Sequence, residues 1–249
     1  MAVMKPTTIL TLLMLAAPAL TAQEPARNTL RVLPLGDPPP FVQEVRDGAR
    51  YEVPPPAGAI PPRLVMIPVP AKAGGPPPPG QPPLRLRLGR PSIPVTLADP
   101  EERRVDLKLE QGGNWLSVPL HPCGSSLALV WRWGKSWNEA RTLVLPDDPA
   151  ARAAGNFHFV NLTAAAMGVV FGDEKIRLEP GKTLSRRLTA DAPAVAVEIL
   201  FSSPSGGFKL CHSTQLSATP GVFSRFLIYA ADGDNPRLPV KVLRLDEPS

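Results

Sequence analysis

"ALVWRWGKSWNEARTLVLPD" (residues 128–147) and "FLIYAADGDNPRLPVKVLRLDE" (residues 226–247) read as two versions of one hairpin. Ala128 to Trp131 aligns with Phe226 to Tyr229, and after a loop two residues longer Arg141, Leu143 and Leu145 align with Lys241, Leu243 and Leu245. Both copies end on an acid, Asp147 and Glu247. An upstream pair, VTLADP from Val95 and IRLEPG from Ile176, keeps the same order. Two matches in one order imply a duplicated unit.

Outside these copies, apolar and polar residues alternate with period two, the pattern of half-buried strands. Leu84, Leu86 and Leu88 alternate with Arg85 and Arg87, Val105, Leu107 and Leu109 with Asp106 and Lys108, and Val195, Val197, Ile199 and Phe201 with Ala196 and Glu198. Each stripe requires a facing sheet to cover it. Helical periodicity is confined to DPAARAA (residues 148–154), long enough for a turn or two. The expected fold is therefore all-β: two tandem immunoglobulin-like β-sandwich domains, residues 29–148 and 156–249, joined by a linker at 149–155. Neither unit carries the Cys, Trp, Cys pattern of antibody domains. In layout the chain resembles uncharacterised exported bacterial proteins built from tandem immunoglobulin-like modules, a resemblance that brings no catalytic residues with it.

Proline contributes 34 of 249 residues, clustered at 37–40, 54–56 and 76–83, which excludes helix there. The region 36–83 accordingly reads as loops and edge strands. GGPPPPGQPP (residues 74–83) has the composition of a stiff spacer, with a ligand for an aromatic groove as the alternative.

At the N-terminus, Lys5 precedes an apolar run over residues 9–20 that closes on small residues, the layout of a secretory signal peptide spanning residues 1–22. Cleavage after Ala22 or after Ala19 both satisfy the small-residue rule. The run is shorter than the ~20 apolar residues of a spanning helix, and nothing comparable follows. The expectation is an exported protein, periplasmic, extracellular or attached to the cell envelope, with no integral membrane segment in the mature chain. Loss of Lys5 lowers the formal net charge from +5 to +4. The basic residues are dispersed and no nucleic-acid motif is present, so nucleic acid is excluded as a partner. Attraction to an anionic envelope surface is what such a charge supports.

Cys123 and Cys211 are the two cysteines. In an exporting compartment they form a disulfide between the domains or remain two free thiols, readings the sequence leaves equal. His121 beside Cys123, and His212 beside Cys211, match no standard zinc spacing. No metal and no cofactor are expected.

Several short motifs dissolve on inspection. Gly181-Lys182-Thr183 resembles the end of a phosphate loop, but Ile176 stands where that motif requires glycine. Glu179-Pro180-Gly181-Lys182 reads instead as a turn. Asn161-Leu162-Thr163 is a formal glycosylation acceptor at the end of a strand. Asp232-Gly233-Asp234-Asn235 opens like a calcium loop but lacks the later ligands and the closing Glu. A hydrolase would need an elbow or metal motif, and none is present.

All four tryptophans, Trp115, Trp131, Trp133 and Trp137, lie within one short window. Trp131 shares its side with Leu127 and Leu129 and belongs to the core. Trp133 and Trp137 flank Gly134-Lys135-Ser136 in a hairpin loop, so Trp133, Lys135 and Trp137 form the candidate ligand site, with sugar stacking as its chemistry. The leading functional expectation is a non-catalytic secreted or cell-envelope protein with a structural or protein-interaction role, its partner an envelope protein or glycan. The alternative is a glycan-binding module using the Trp133/Trp137 loop, and a hydrolase without a recognisable motif ranks third.

Overall fold

The computed structural model describes residues 28–68, 82–97, 103–134, 136–149, 152–203, 206–232 and 236–249. Residues 1–27 (which include the segment read as a signal peptide), most of the 74–83 proline run and Lys135 lie outside the described residues. The fold is all-β, as the alternation requires. The first half contributes β1 (Thr29–Leu35), β2 (Gln43–Arg46), β3 (Ala49–Glu52), β4 (Leu64–Met66), β5 (Leu84–Arg85), β6 (Val95–Thr96), β7 (Arg104–Leu109), β8 (Asn114–Pro119), β9 (Ser125–Trp133) and β10 (Ser136–Pro146). The second contributes β11 (Asn156–Asn161), β12 (Met167–Phe171), β13 (Glu174–Leu178), β14 (Thr183–Arg187), β15 (Val195–Ser202), β16 (Phe208–Leu216), β17 (Val222–Ala230) and β18 (Val240–Pro248).

In the first half, the sheet β10-β9-β1-β6 faces the sheet β5-β4-β7-β8 across an apolar cluster that includes Leu30, Val65, Leu107 and Ala128. In the second, β14-β11-β17-β18 faces β13-β12-β15-β16 across Phe159, Val169, Ile199 and Phe226. This is the arrangement of a β-sandwich, made twice. The strand orders correspond element by element, down to a parallel pairing of the first strand with the penultimate one: Leu33 lies opposite Leu129 as Val160 lies opposite Leu227. The hairpin register repeats too, with Arg141 opposite Trp131 and Lys241 opposite Tyr229.

One part of the sequence alignment needs correction. Val95 lies in β6, which pairs with β1, whereas Ile176 lies in β13, which pairs with β12. In the repeated topology β6 corresponds to β14 and β13 to β5, so VTLADP and IRLEPG do not occupy equivalent strands. Both are short edge strands followed in sequence by an acid and a proline, and that shared composition produced the match.

A third apolar layer joins the halves. Leu33, Leu35, Leu127, Leu129 and Leu145 from β1, β9 and β10 pack against Val160, Leu162 and Leu227. The inner sheets are thus covered on both faces, which is why β1, β9, β11 and β17 are apolar nearly throughout rather than alternating. Full burial of each such side chain is worth about 1.5–3 kcal/mol, so this layer holds the two sandwiches as firmly as a core does.

Polar networks close the layer at both ends. At one, Arg31 grips Asp147 through two hydrogen bonds of 2.6 and 2.7 Å and also reaches Glu247 at 2.6 Å. Arg225 bonds Glu247 and lies 3.2 Å from Asp147. At the other, the Asp37 amide donates to the Asp232 carboxylate (2.9 Å) and the Asp232 amide donates back to Asp37 (3.1 Å). Arg132 pairs with Asp232 at 2.9 Å and Lys241 with Asp37 at 2.8 Å.

Candidate binding surface at the junction of the halves

The β9–β10 hairpin tip, where the sequence places its candidate site, rises beside this second network. Trp133 is 45% exposed, with the Arg141 guanidinium stacked 3.1 Å from the ring centroid. A cation on the ring gains from its negative face and covers one of the two faces that a sugar could use. Shallow cavities of about 220 Å³ each lie against Trp133, one bordered by Thr163 and Gly181, the other by Tyr229 and Asp232. The Tyr229 phenol is pushed up to about 12 by burial and by the Asp37 and Asp232 carboxylates, so it stays protonated.

Trp137 is not part of this surface. It is 1% exposed and belongs to the first-half core, because the β9–β10 register slips between Ser136 and Ala140 and turns its side chain inward. Its amide donates to Gly58 (2.8 Å) and its carbonyl accepts from the Trp115 indole (2.8 Å). The paired-tryptophan site reduces to Trp133, with Lys135 outside the described residues.

The other motifs resolve structurally. Asn161 is fully buried: its amide donates to the carbonyls of Ala165 and Leu178, and its Oδ1 accepts from the backbone and hydroxyl of Thr163. Every polar atom of the acceptor side chain is engaged, leaving nothing to glycosylate in the folded state. Gly181, at φ +71°, makes the turn read from Glu179-Pro180-Gly181-Lys182, closed by the Lys182 amide on the Glu179 carbonyl. Asp232 is committed to Asp37 and Arg132, and the rest of its loop lies outside the described residues.

The cysteines do not pair. Cys123 is an exposed free thiol in the β8–β9 turn, with His121 Nδ1 2.8 Å away, while Cys211 packs against the second-half core and donates to the Ile199 carbonyl. Burial pushes the Cys211 thiol up to about 11. The two cysteines stand on separate sandwiches, each as a free thiol. His158 sits at the junction, edge-on to Phe223, and His212 lies on β16 near Phe226. The three histidines are thus on three different surfaces.

Sequence reasoning missed the β2–β3 hairpin, the most exposed pair of strands among the described residues. It turns on Asp47-Gly48, both at positive φ (50° and 78°), the two-residue geometry that Asp-Gly favours. That dipeptide between QEVR and ARYE was the available signal. Every residue of β2 and β3 is exposed. Among the described residues, five of the ten exposed large apolar side chains fall here: Phe41 (68%), Val42, Val45 (64%), Tyr51 (53%) and Val53. Val42 and Val53 also line a groove of about 810 Å³ walled by Pro38 to Pro40, Pro54 to Pro56, Arg132 and Asp232. The second half has no counterpart, for β11 passes directly to β12 across residues 162–166.

No protein-family model matches this sequence, and no curated protein is significantly similar to it. Among the described residues no helix is long and apolar enough to cross a membrane.

Proposed function

We propose that this is an exported, non-catalytic cell-envelope protein in which two immunoglobulin-like domains, residues 29–148 and 156–249, arose by duplication and form a scaffold that presents the β2–β3 hairpin to a protein partner. The observation that carries the reading is the concentration of exposed apolar side chains in a hairpin that has no counterpart in the second half. An isolated two-stranded hairpin is marginal in water, and apolar patches rimmed by polar residues mark interaction sites. The proline walls support it, since they hold the adjoining groove at low entropic cost. Replacing Phe41, Val45 and Tyr51 by serine tests it: partner capture is lost while the circular dichroism spectrum is unchanged.

A glycan-binding role is the second reading, favoured by the half-exposed Trp133 at the mouth of two cavities. It predicts that cell-wall glycan retention disappears in Trp133→Ala and survives the hairpin substitutions.

A further inference from the structure

The four sheets stack so that two outer faces are left, and these faces differ in charge. On the face of β5-β4-β7-β8 turned away from the core, Leu84, Val65, Val105 and Leu107 point inward, which puts Arg85, Leu64, Met66, Arg104, Asp106 and Lys108 outward. Arg87, following β5 in the same alternation, is also exposed. Among the described residues of these strands, Arg85, Arg87, Arg104 and Lys108 thus stand outward beside one acid, Asp106. Among the described residues none of these four bases joins an ion pair; Arg104 only donates to the Ser117 hydroxyl at 3.3 Å. On the opposite outer face Arg177 is neutralised by Glu179 at 2.7 Å. Lys175 and Glu198 there flank Val170 from either side in register.

We propose that the outer face of β5-β4-β7-β8 docks on an anionic lipid bilayer surface, its arginines and Lys108 meeting headgroup phosphates. Unpaired guanidiniums pair bidentately with phosphate, and each basic side chain near such a surface contributes about 1 kcal/mol. Leu64 and Met66, half-buried between the basic rows, supply the apolar centre of an interfacial surface, around which the arginine stems can lie flat. No aromatic side chain lies among these outward residues, so sugar stacking has no platform there. The inference does not depend on the hairpin, and binding by the hairpin variant would leave the two separable.

The test is co-sedimentation of the chain from Gln23 onward, which omits the apolar leader, with phosphatidylglycerol or phosphatidylcholine vesicles. The expected result is partitioning to phosphatidylglycerol alone, weakening as salt screens it. Arg85→Glu with Arg87→Glu should lower that partitioning by roughly tenfold or more. Arg104→Glu with Lys108→Glu is the second variant with the same expectation, while Lys175→Glu on the opposite face leaves binding unchanged. Equal binding to both vesicles, or wild-type binding by both double variants, would overturn the proposal. Retention on dextran sulfate beads without vesicle binding would overturn it in favour of a polyanionic glycan.

Discussion

Arg225, on β17 in the second half of the chain, places its guanidinium 3.2 Å from the carboxylate of Asp147, just past β10 in the first. Arg31 and Glu247 complete a ring of two cations and two anions that is almost wholly withdrawn from water. The aligned acids that end the two repeated hairpins therefore meet across the junction. Each charge is costly to bury alone and tolerable only with its partners.

Removing one member should expose that cost. Asp147→Ala leaves Arg31 and Arg225 buried against one remaining acid, and is expected to lower the free energy of unfolding by about 3–5 kcal/mol. Glu44→Ala, which breaks the exposed pair with Arg46, should change it by no more than roughly 1 kcal/mol. Urea unfolding monitored by tryptophan fluorescence compares the two.

His158 makes the junction sensitive to acid. Burial lowers its pKa below the ordinary 6.5, with Arg225 adding repulsion. The unfolded chain thus takes up the proton first as pH falls, so stability is complete above 6.5 and declines as pH drops below it. Burial lowers His212 as well, with the same sign. His158→Gln should therefore lose less thermal stability than the wild type between about pH 7.5 and pH 5, the range over which imidazole titrates.

The two tryptophans flanking the β9–β10 turn should separate cleanly. Trp137→Ala empties a core position and is expected to cost about 3–5 kcal/mol. Trp133→Ala removes a half-exposed ring whose chief partner is Arg141, and should cost about 1 kcal/mol. Equal costs would mean that Trp137 does not reach the core.

Much of this architecture is legible in the sequence. The alternation at Leu84 to Leu88 and Val105 to Lys108 gives the outer sheet, and the Trp131/Tyr229 alignment gives a hairpin register that the pairing repeats residue for residue. The junction was harder to read because Leu33, Leu129 and Leu227 belong to strands apolar on both faces, where period two no longer tells inside from outside. Trp137 was misplaced because a register slip follows from no local pattern and reverses a side chain. The hairpin was overlooked because the flanking prolines at 38–40 and 54–56 suggested irregular chain and masked the Asp47-Gly48 turn between them.

The measurement that bears most directly on the proposed role is a pull-down from the organism's own envelope fraction with the wild-type chain and the Phe41→Ser, Val45→Ser, Tyr51→Ser variant in parallel. These side chains are exposed, so the variant should fold normally. The expected result is a protein retained by the wild type and lost from the variant. The same proteins retained by both, or a glycan alone retained through Trp133, would contradict the account.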